Sequence, residues 1–171
     1  TAPTNWQVAV RLLNEGDAQA AAERFQLEID KNPDAAVAWF ALGRAQLQAE
    51  PRAVNARRSF QEAFELSQDP RLLSAVAYCD GLNGASAVAA EVFKQAIEQG
   101  DKHAIIHYNR ALALRKSSSY AYYLAIDECT EALRINEGLT AARHLRGYLR
   151  LVIAINDQTG KIDRREYLLA A

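Results

Sequence analysis

The sequence predicts an all-α protein built as a solenoid of helix–turn–helix repeats, and three observations predict it. Half of the 171 residues are hydrophobic and 24% are charged, a balance that can bury a sizeable core. Only 4 prolines and 8 glycines punctuate the chain, whereas alanine, the strongest helix former, fills almost one position in five. The third observation is periodic. Ala21–Phe25, Ala56–Phe60, Ala89–Phe93 and Ala125–Cys129 each pair a small residue with a larger one four positions on, at intervals of 35, 33 and 36 residues between successive alanines. A third member follows three positions later as Glu28, Ala63, Ala96 and Ala132, so one helix face recurs four times.

Taken in order, the elements read as follows. Thr4 is placed to cap a first helix over Asn5 to Leu13, and Gly16-Asp17 turns the chain into the Ala21–Phe25 helix. Asn32-Pro33-Asp34 closes that unit and leads into a helix carrying Trp39-Phe40-Ala41-Leu42-Gly43. The Ala56–Phe60–Ala63 helix follows, and Asp69-Pro70 opens the next unit with proline at a helix start. Gly84 marks the turn before Ala89–Phe93, and His107 to Leu114 forms the first helix of the fourth unit. Ser117-Ser118-Ser119 reads as a turn, with Tyr120 packed in it and Tyr122 and Tyr123 extending the helix that holds Ala125–Cys129. A fifth first helix starts at Thr140, carries Ala142, Leu145, Gly147, Leu149 and Leu151 to Ile153, and is expected to stop at Asn156 to Gly160. Asp163 to Glu166 then reads as a capping box for a short last helix ending Tyr167-Leu168-Leu169. The units are approximately 2–35, 36–69, 70–103 and 104–139, with the fifth helix and cap over 140–171, in one domain.

These residues resemble the tetratricopeptide repeat, whose pattern is W-x2-L-G-x2-Y, then A-x3-F, then P, over about 34 residues. Trp39, Leu42, Gly43, Ala56, Phe60 and Ala63 match it in the second unit, and Ala21, Phe25 and Pro33 in the first. Asn109-Arg110-Ala111 and Ala125 to Leu133 are similar to it in the fourth. Gln46 and Asp80 depart from the pattern where tyrosine belongs, and Glu137 replaces the last unit's closing proline. The resemblance implies an α–α superhelix, a right-handed solenoid whose inner wall is lined by the first helix of each pair.

Gly81-Leu82-Asn83-Gly84 lacks the Gly-Lys-Ser/Thr ending of a phosphate loop and falls at a helical turn. His103 and His107 stand four apart, but His103 sits at a helix start with no third ligand nearby in sequence, so both read as a solvated helix start rather than a metal site. Cys79 and Cys129 lie on packed helix faces of separate units and read as small buried hydrophobes, not nucleophiles and not a disulfide. No catalytic constellation is legible, and neither enzymatic activity nor a cofactor is expected. The net charge of −1 argues against a general grip on nucleic acid. No stretch approaches the roughly 20 uninterrupted apolar residues of a membrane-spanning helix, and no membrane insertion is expected.

Function is therefore expected on the inner wall, as capture of a peptide or partner helix by a scaffold. Its candidate residues are Trp6, Val10 and Leu13, then Val37, Phe40, Arg44 and Leu47, then Arg71, Ser74 and Tyr78. Ile105, Tyr108, Asn109, Leu112, Arg115 and Lys116 continue the series, and His144 and Tyr148 end it. Rings bury area while guanidinium forks take carboxylates. Residues 1–85 hold 8 Lys+Arg against 11 Asp+Glu, and residues 86–171 hold 12 against 10, so an acidic segment is expected at the C-terminal half, near Arg110, Arg115, Lys116, Arg143, Arg146 and Arg150. A carboxylate clamp of the kind that some tetratricopeptide proteins use on heat-shock chaperones is not expected. Asn109 resembles its middle asparagine, but Ser74, Tyr78, Ala141 and Leu145 stand where its flanking members belong.

The alternative is a regulatory or self-associating segment of a larger protein, such as an enzyme. The chain contains no methionine, which reads as a processed product or a piece of something longer. Two unpaired cysteines favour a reducing, cytoplasmic interior, whereas Thr1-Ala2-Pro3 suits a chain left by removal of an export signal.

Overall fold

The computed structural model describes residues 3–50 and 52–159. Its nine α-helices, among the described residues, are α1 (Asn5–Glu15), α2 (Ala18–Lys31), α3 (Ala36–Ala49), α4 (Val54–Ser67), α5 (Pro70–Leu82), α6 (Ser86–Glu98), α7 (Ala104–Ser117), α8 (Tyr122–Ile135) and α9 (Thr140–Thr159). A single 3-10 turn, Ser119–Ala121, precedes α8. The described residues form no strand, and none of their helices is long and apolar enough to cross a membrane. They gather into two compact units divided between Ala85 and Ser86, inside the third sequence repeat.

In the first unit, each helix packs against the one before it. Thr4 caps α1 by accepting from the Gln7 amide, while the Gln7 side chain accepts from the Thr4 amide, a reciprocal capping box. Gly16, at φ 91°, takes the left-handed conformation that ends α1, and Asp17 at once caps α2 through the Ala20 amide. So short a connection returns α2 directly against α1, where Ala9, Ala21 and Phe25 are buried with Ala38, Leu42 and Ala45 of α3. Alanine lets backbones approach, and the one large ring fills the space left over. The same logic joins α3, α4 and α5. Phe60 lies so near Gly43 that a Cβ there would sit 2.8 Å from its ring, and Phe60 packs in a cluster with Ala53, Ala56, Val76 and Cys79. Trp39 is half-buried, and its Nε1 donates to the Pro33 carbonyl at 2.8 Å, tying the α2–α3 turn to the helix it introduces.

The two departures from the repeat pattern in this unit are polar substitutes for tyrosine. Gln46 accepts a hydrogen bond from buried Ser59 at 2.7 Å. Asp80 is buried and receives the Arg57 Nε at 2.6 Å, while Asn83 caps the start of α4 by accepting from the Ala53 amide.

In the second unit, α6, α7, α8 and α9 again pack in sequence. Ala89, Phe93 and Ala96 of α6, Ile106 and Leu114 of α7, Ala125, Cys129 and Ala132 of α8, and Leu145 and Leu149 of α9 are buried. Two sequence expectations need correction, and another falls outside the described residues. His107 is not part of a solvated helix start: its Nδ1 meets Glu128 at 2.7 Å with both side chains mostly buried. Tyr120 does not pack in the turn; the 3-10 turn buries Ala121 and turns Tyr120 outward, 52% exposed. The fifth helix runs through Thr159, the last described residue, and so reaches into the Asn156 to Gly160 segment expected to end it. The expected cap helix over Asp163 to Leu169 lies outside the described residues.

Candidate functional site

The first helices of the first unit, α1, α3 and α5, carry two adjoining cavities. One, of about 230 Å³, is lined by Trp6, Val10, Leu13, Asn14, Phe25, Val37, Phe40, Ala41 and Arg44. The other, of about 420 Å³, is lined by Ala36, Val37, Phe40, Ser67, Asp69, Arg71 and Leu72. Val37 and Phe40 belong to both, so α3 forms the ridge between them. Their side chains remain open: Val37 is 61% exposed and Phe40 37%.

Core packing sets these positions. Trp6 is half-buried, with its ring edge-on to Phe25 at 5.2 Å between centroids, so it walls the smaller cavity while contributing to the core. Phe40 is held against Phe60 at 5.9 Å, and the Arg44 guanidinium lies 5.9 Å over the Phe40 ring. Arg44 makes no ion pair among the described residues. Arg71, by contrast, is engaged: its Nε and Nη2 reach the Asp69 carboxylate at 2.5 to 3.0 Å, and Asp69 also caps α5 by accepting from the Arg71 amide. That guanidinium holds the Asp69 carboxyl below its ordinary range against a smaller opposing effect of burial. The two arginines expected on this wall therefore differ, one neutralised in place and one available to a ligand.

The remaining expected residues of this unit divide similarly. Leu13 is half-buried on the wall, and Tyr78 is exposed. Leu47 is drawn into the α4–α5 cluster, and the Ser74 hydroxyl donates to the Pro70 carbonyl within α5. Leu72 and Asp69 line the larger cavity without having been singled out. Proline at the first position of α5 fixes where that helix starts, so the spacing Pro70–Leu72 held the signal.

In the second unit, α7 and α9 present Ile105, Lys116, His144 and Tyr148 as exposed residues, with Tyr108, Asn109, Leu112 and Arg115 half-buried. The Arg115 guanidinium lies 5.9 Å over the Tyr148 ring. Arg110 is consumed internally: its Nη1 pairs with Glu128, the carboxylate that also holds His107, and its Nε donates to the Ala90 carbonyl. Arg143 and Arg146 do not join Arg115. They line a third cavity of about 470 Å³ with Thr130, Leu133, Arg134 and Glu137, between α8 and α9.

Both cysteines are buried and unbonded. Burial pushes the Cys79 thiol up to about 12, with the Asp80 charge adding to the rise and Arg57 opposing it. Burial raises Cys129 to about 11, with Arg146 opposing and Glu128 adding. Neither resembles an activated nucleophile. No group of three or more metal-ligating side chains converges among the described residues.

No family model matches the chain, and no curated protein matches its sequence. Solved structures do. A crystal structure of MamA aligns with a TM-score of 0.78 at 15% identity, covering 90% of this chain and 89% of its own. YrrB, described as a TPR protein with an unusual peptide-binding site, aligns with a TM-score of 0.70 at 12% identity, covering 93% of this chain and 78% of its own. At such identities the likeness is one of backbone architecture. Together with the repeated small–large–small helix face and the successive helix packing, it gives this chain the tetratricopeptide-repeat fold.

Proposed function

We propose that the protein is a non-catalytic interaction scaffold whose first unit captures an extended or helical peptide along α3. The observation that carries this reading is the pair of cavities sharing Val37 and Phe40, with both side chains open to a ligand. A bulky apolar residue of the peptide fills the slot between Trp6, Val10 and Phe40, and a second occupies the space beside Leu72. A carboxylate next to the first anchor meets Arg44, whose charge among the described residues faces an aromatic ring and no carboxylate. Aromatic and arginine anchors in partly desolvated pockets dominate the energetics of such interfaces.

Peptides selected from a random display library on the full chain test the reading by titration calorimetry. They should share a bulky apolar residue beside an acidic one. Phe40→Ala should weaken them by about 10- to 30-fold, the equivalent of about 1.4–2 kcal/mol. Val37→Asp should abolish binding by placing a charge on the ridge. Undiminished binding to both variants would reject the groove in favour of another face.

Self-association rests on a separate surface. Tyr148, Leu151 and Ile155 fall on one side of α9 and are all more than half exposed. If they pair two copies, Leu151→Glu makes the protein monomeric in sedimentation equilibrium, whereas a wild type already monomeric at high concentration dismisses that reading.

A further inference from the structure

We propose that the cavity between α8 and α9 is a binding site for a soluble phosphomonoester, independent of the groove in the first unit. Three guanidinium groups, those of Arg134, Arg143 and Arg146, line it against a single lining carboxylate, Glu137. Each fork is anchored by one bond and keeps the rest of its donors. Arg134 Nε donates to Glu131 at 2.8 Å, Arg143 Nη2 to the Glu137 carbonyl at 2.7 Å, and Arg146 Nη1 to the Thr130 hydroxyl at 3.4 Å. Thr130 in turn donates to the Ile126 carbonyl, which fixes its oxygen as an acceptor for Arg146. Among the described residues the other N–H groups of these forks have no protein acceptor. Arg143 and Arg146 are thus oriented by neutral acceptors without being neutralised, whereas Arg134 is paired with Glu131.

Position strengthens the argument. Arg143 stands in the first turn of α9, which contains no acidic residue. A cation there opposes the positive end of the helix dipole, an arrangement that an anion bound beside it reverses into a favourable one. The ligand class follows from the number of forks. A carboxylate offers two oxygens in one plane and satisfies one guanidinium bidentately. A phosphate monoester offers three oxygens in three directions, one for each fork, and about two negative charges to match Arg143 and Arg146, the two forks that hold no carboxylate among the described residues. The volume of about 470 Å³ leaves space for the small group to which the phosphate is esterified.

The full chain, observed through its arginine Nε–Hε resonances, tests this with O-phospho-L-serine as the probe at constant ionic strength. The Arg134, Arg143 and Arg146 signals should shift saturably. Arg143→Gln and Arg146→Gln should each weaken binding about tenfold, while Arg150→Gln, a control on the same helix, leaves it unchanged. Arg143→Lys preserves charge but not the fork and should fall between wild type and Arg143→Gln. Because Arg143 also holds the Glu137 carbonyl, retention of the wild-type melting temperature by Arg146→Gln keeps the test independent of folding. Linear, unsaturable shifts, an equal response to chloride, or equal weakening by Arg150→Gln would overturn the site. So would binding to phosphatidic acid vesicles with none to the soluble probe.

Discussion

Asp80 stands where the repeat pattern places an aromatic ring, and its replacement changes the chemistry of its neighbours as well as its own. Its carboxylate is buried and receives Arg57, and its charge is one of the two causes that raise the adjacent Cys79 thiol. A thiol that stays neutral up to about 12 in the folded protein but ionises near 8.5 once unfolded couples folding to pH. Between those values the folded state holds the proton and the unfolded state releases it, so stability is complete below the lower value and falls as pH rises towards the upper one. We expect wild-type stability to decline more steeply than that of Cys79→Ala from pH 9 to 11, by up to about 1.4 kcal/mol per pH unit. Urea midpoints for the two proteins across that interval measure it, and parallel curves would contradict it. At this scale the sequence was half legible. It marked Asp80 and Cys79 as a departure and a buried residue, but Arg57, 23 positions away, became the partner only when α4 lay against α5.

Helices were the most legible level, because their limits are written in local chemistry. Thr4, Gly16-Asp17 and Asp69-Pro70 each stop or start a helix where their backbone preferences require, and the structure follows them. Gly43 shows what a pattern residue does: it is the point at which α3 admits the Phe60 ring of α4. Gly43→Ala adds one methyl to a helix position, which intrinsic propensity favours by about 1 kcal/mol. It also forces that methyl to 2.8 Å from an aromatic ring fixed on several sides, and overpacking of this kind costs about 1–3 kcal/mol. We expect the clash to prevail and the melting temperature to fall; a rise would mean that Phe60 shifts freely. Less legible were features that depend on a neighbouring helix. The His103–His107 spacing pointed along α7, whereas His107 and Arg110 both turn across to Glu128 of α8. Arg134 lies on a second helix, where the inner-wall pattern gives no signal.

Across the whole molecule the charge is partitioned, and the two units carry different candidate chemistry. The first, with 8 cations against 11 anions in its sequence, carries the apolar cavities of α3, with Arg44 over the Phe40 ring. The second has 12 against 10, with Arg115 over Tyr148 and Lys116 exposed beside it. Burial of apolar area is nearly indifferent to salt, whereas exposed charge pairs are screened over a Debye length of about 8 Å at physiological ionic strength. Two classes of ligand should therefore separate on the intact chain. An apolar peptide anchored at Phe40 should bind with a shallow salt dependence, and Phe40→Ala should lower its affinity without altering that slope. An acidic peptide gripped by the second unit should weaken steeply with salt. Arg115→Glu with Lys116→Glu should both reduce its affinity and flatten the slope, while the apolar peptide is unaffected. Titrations at 50 and 300 mM sodium chloride with both variants read all four quantities. An acidic peptide whose affinity and salt slope survive the double reversal would exclude Arg115 and Lys116 as its contacts.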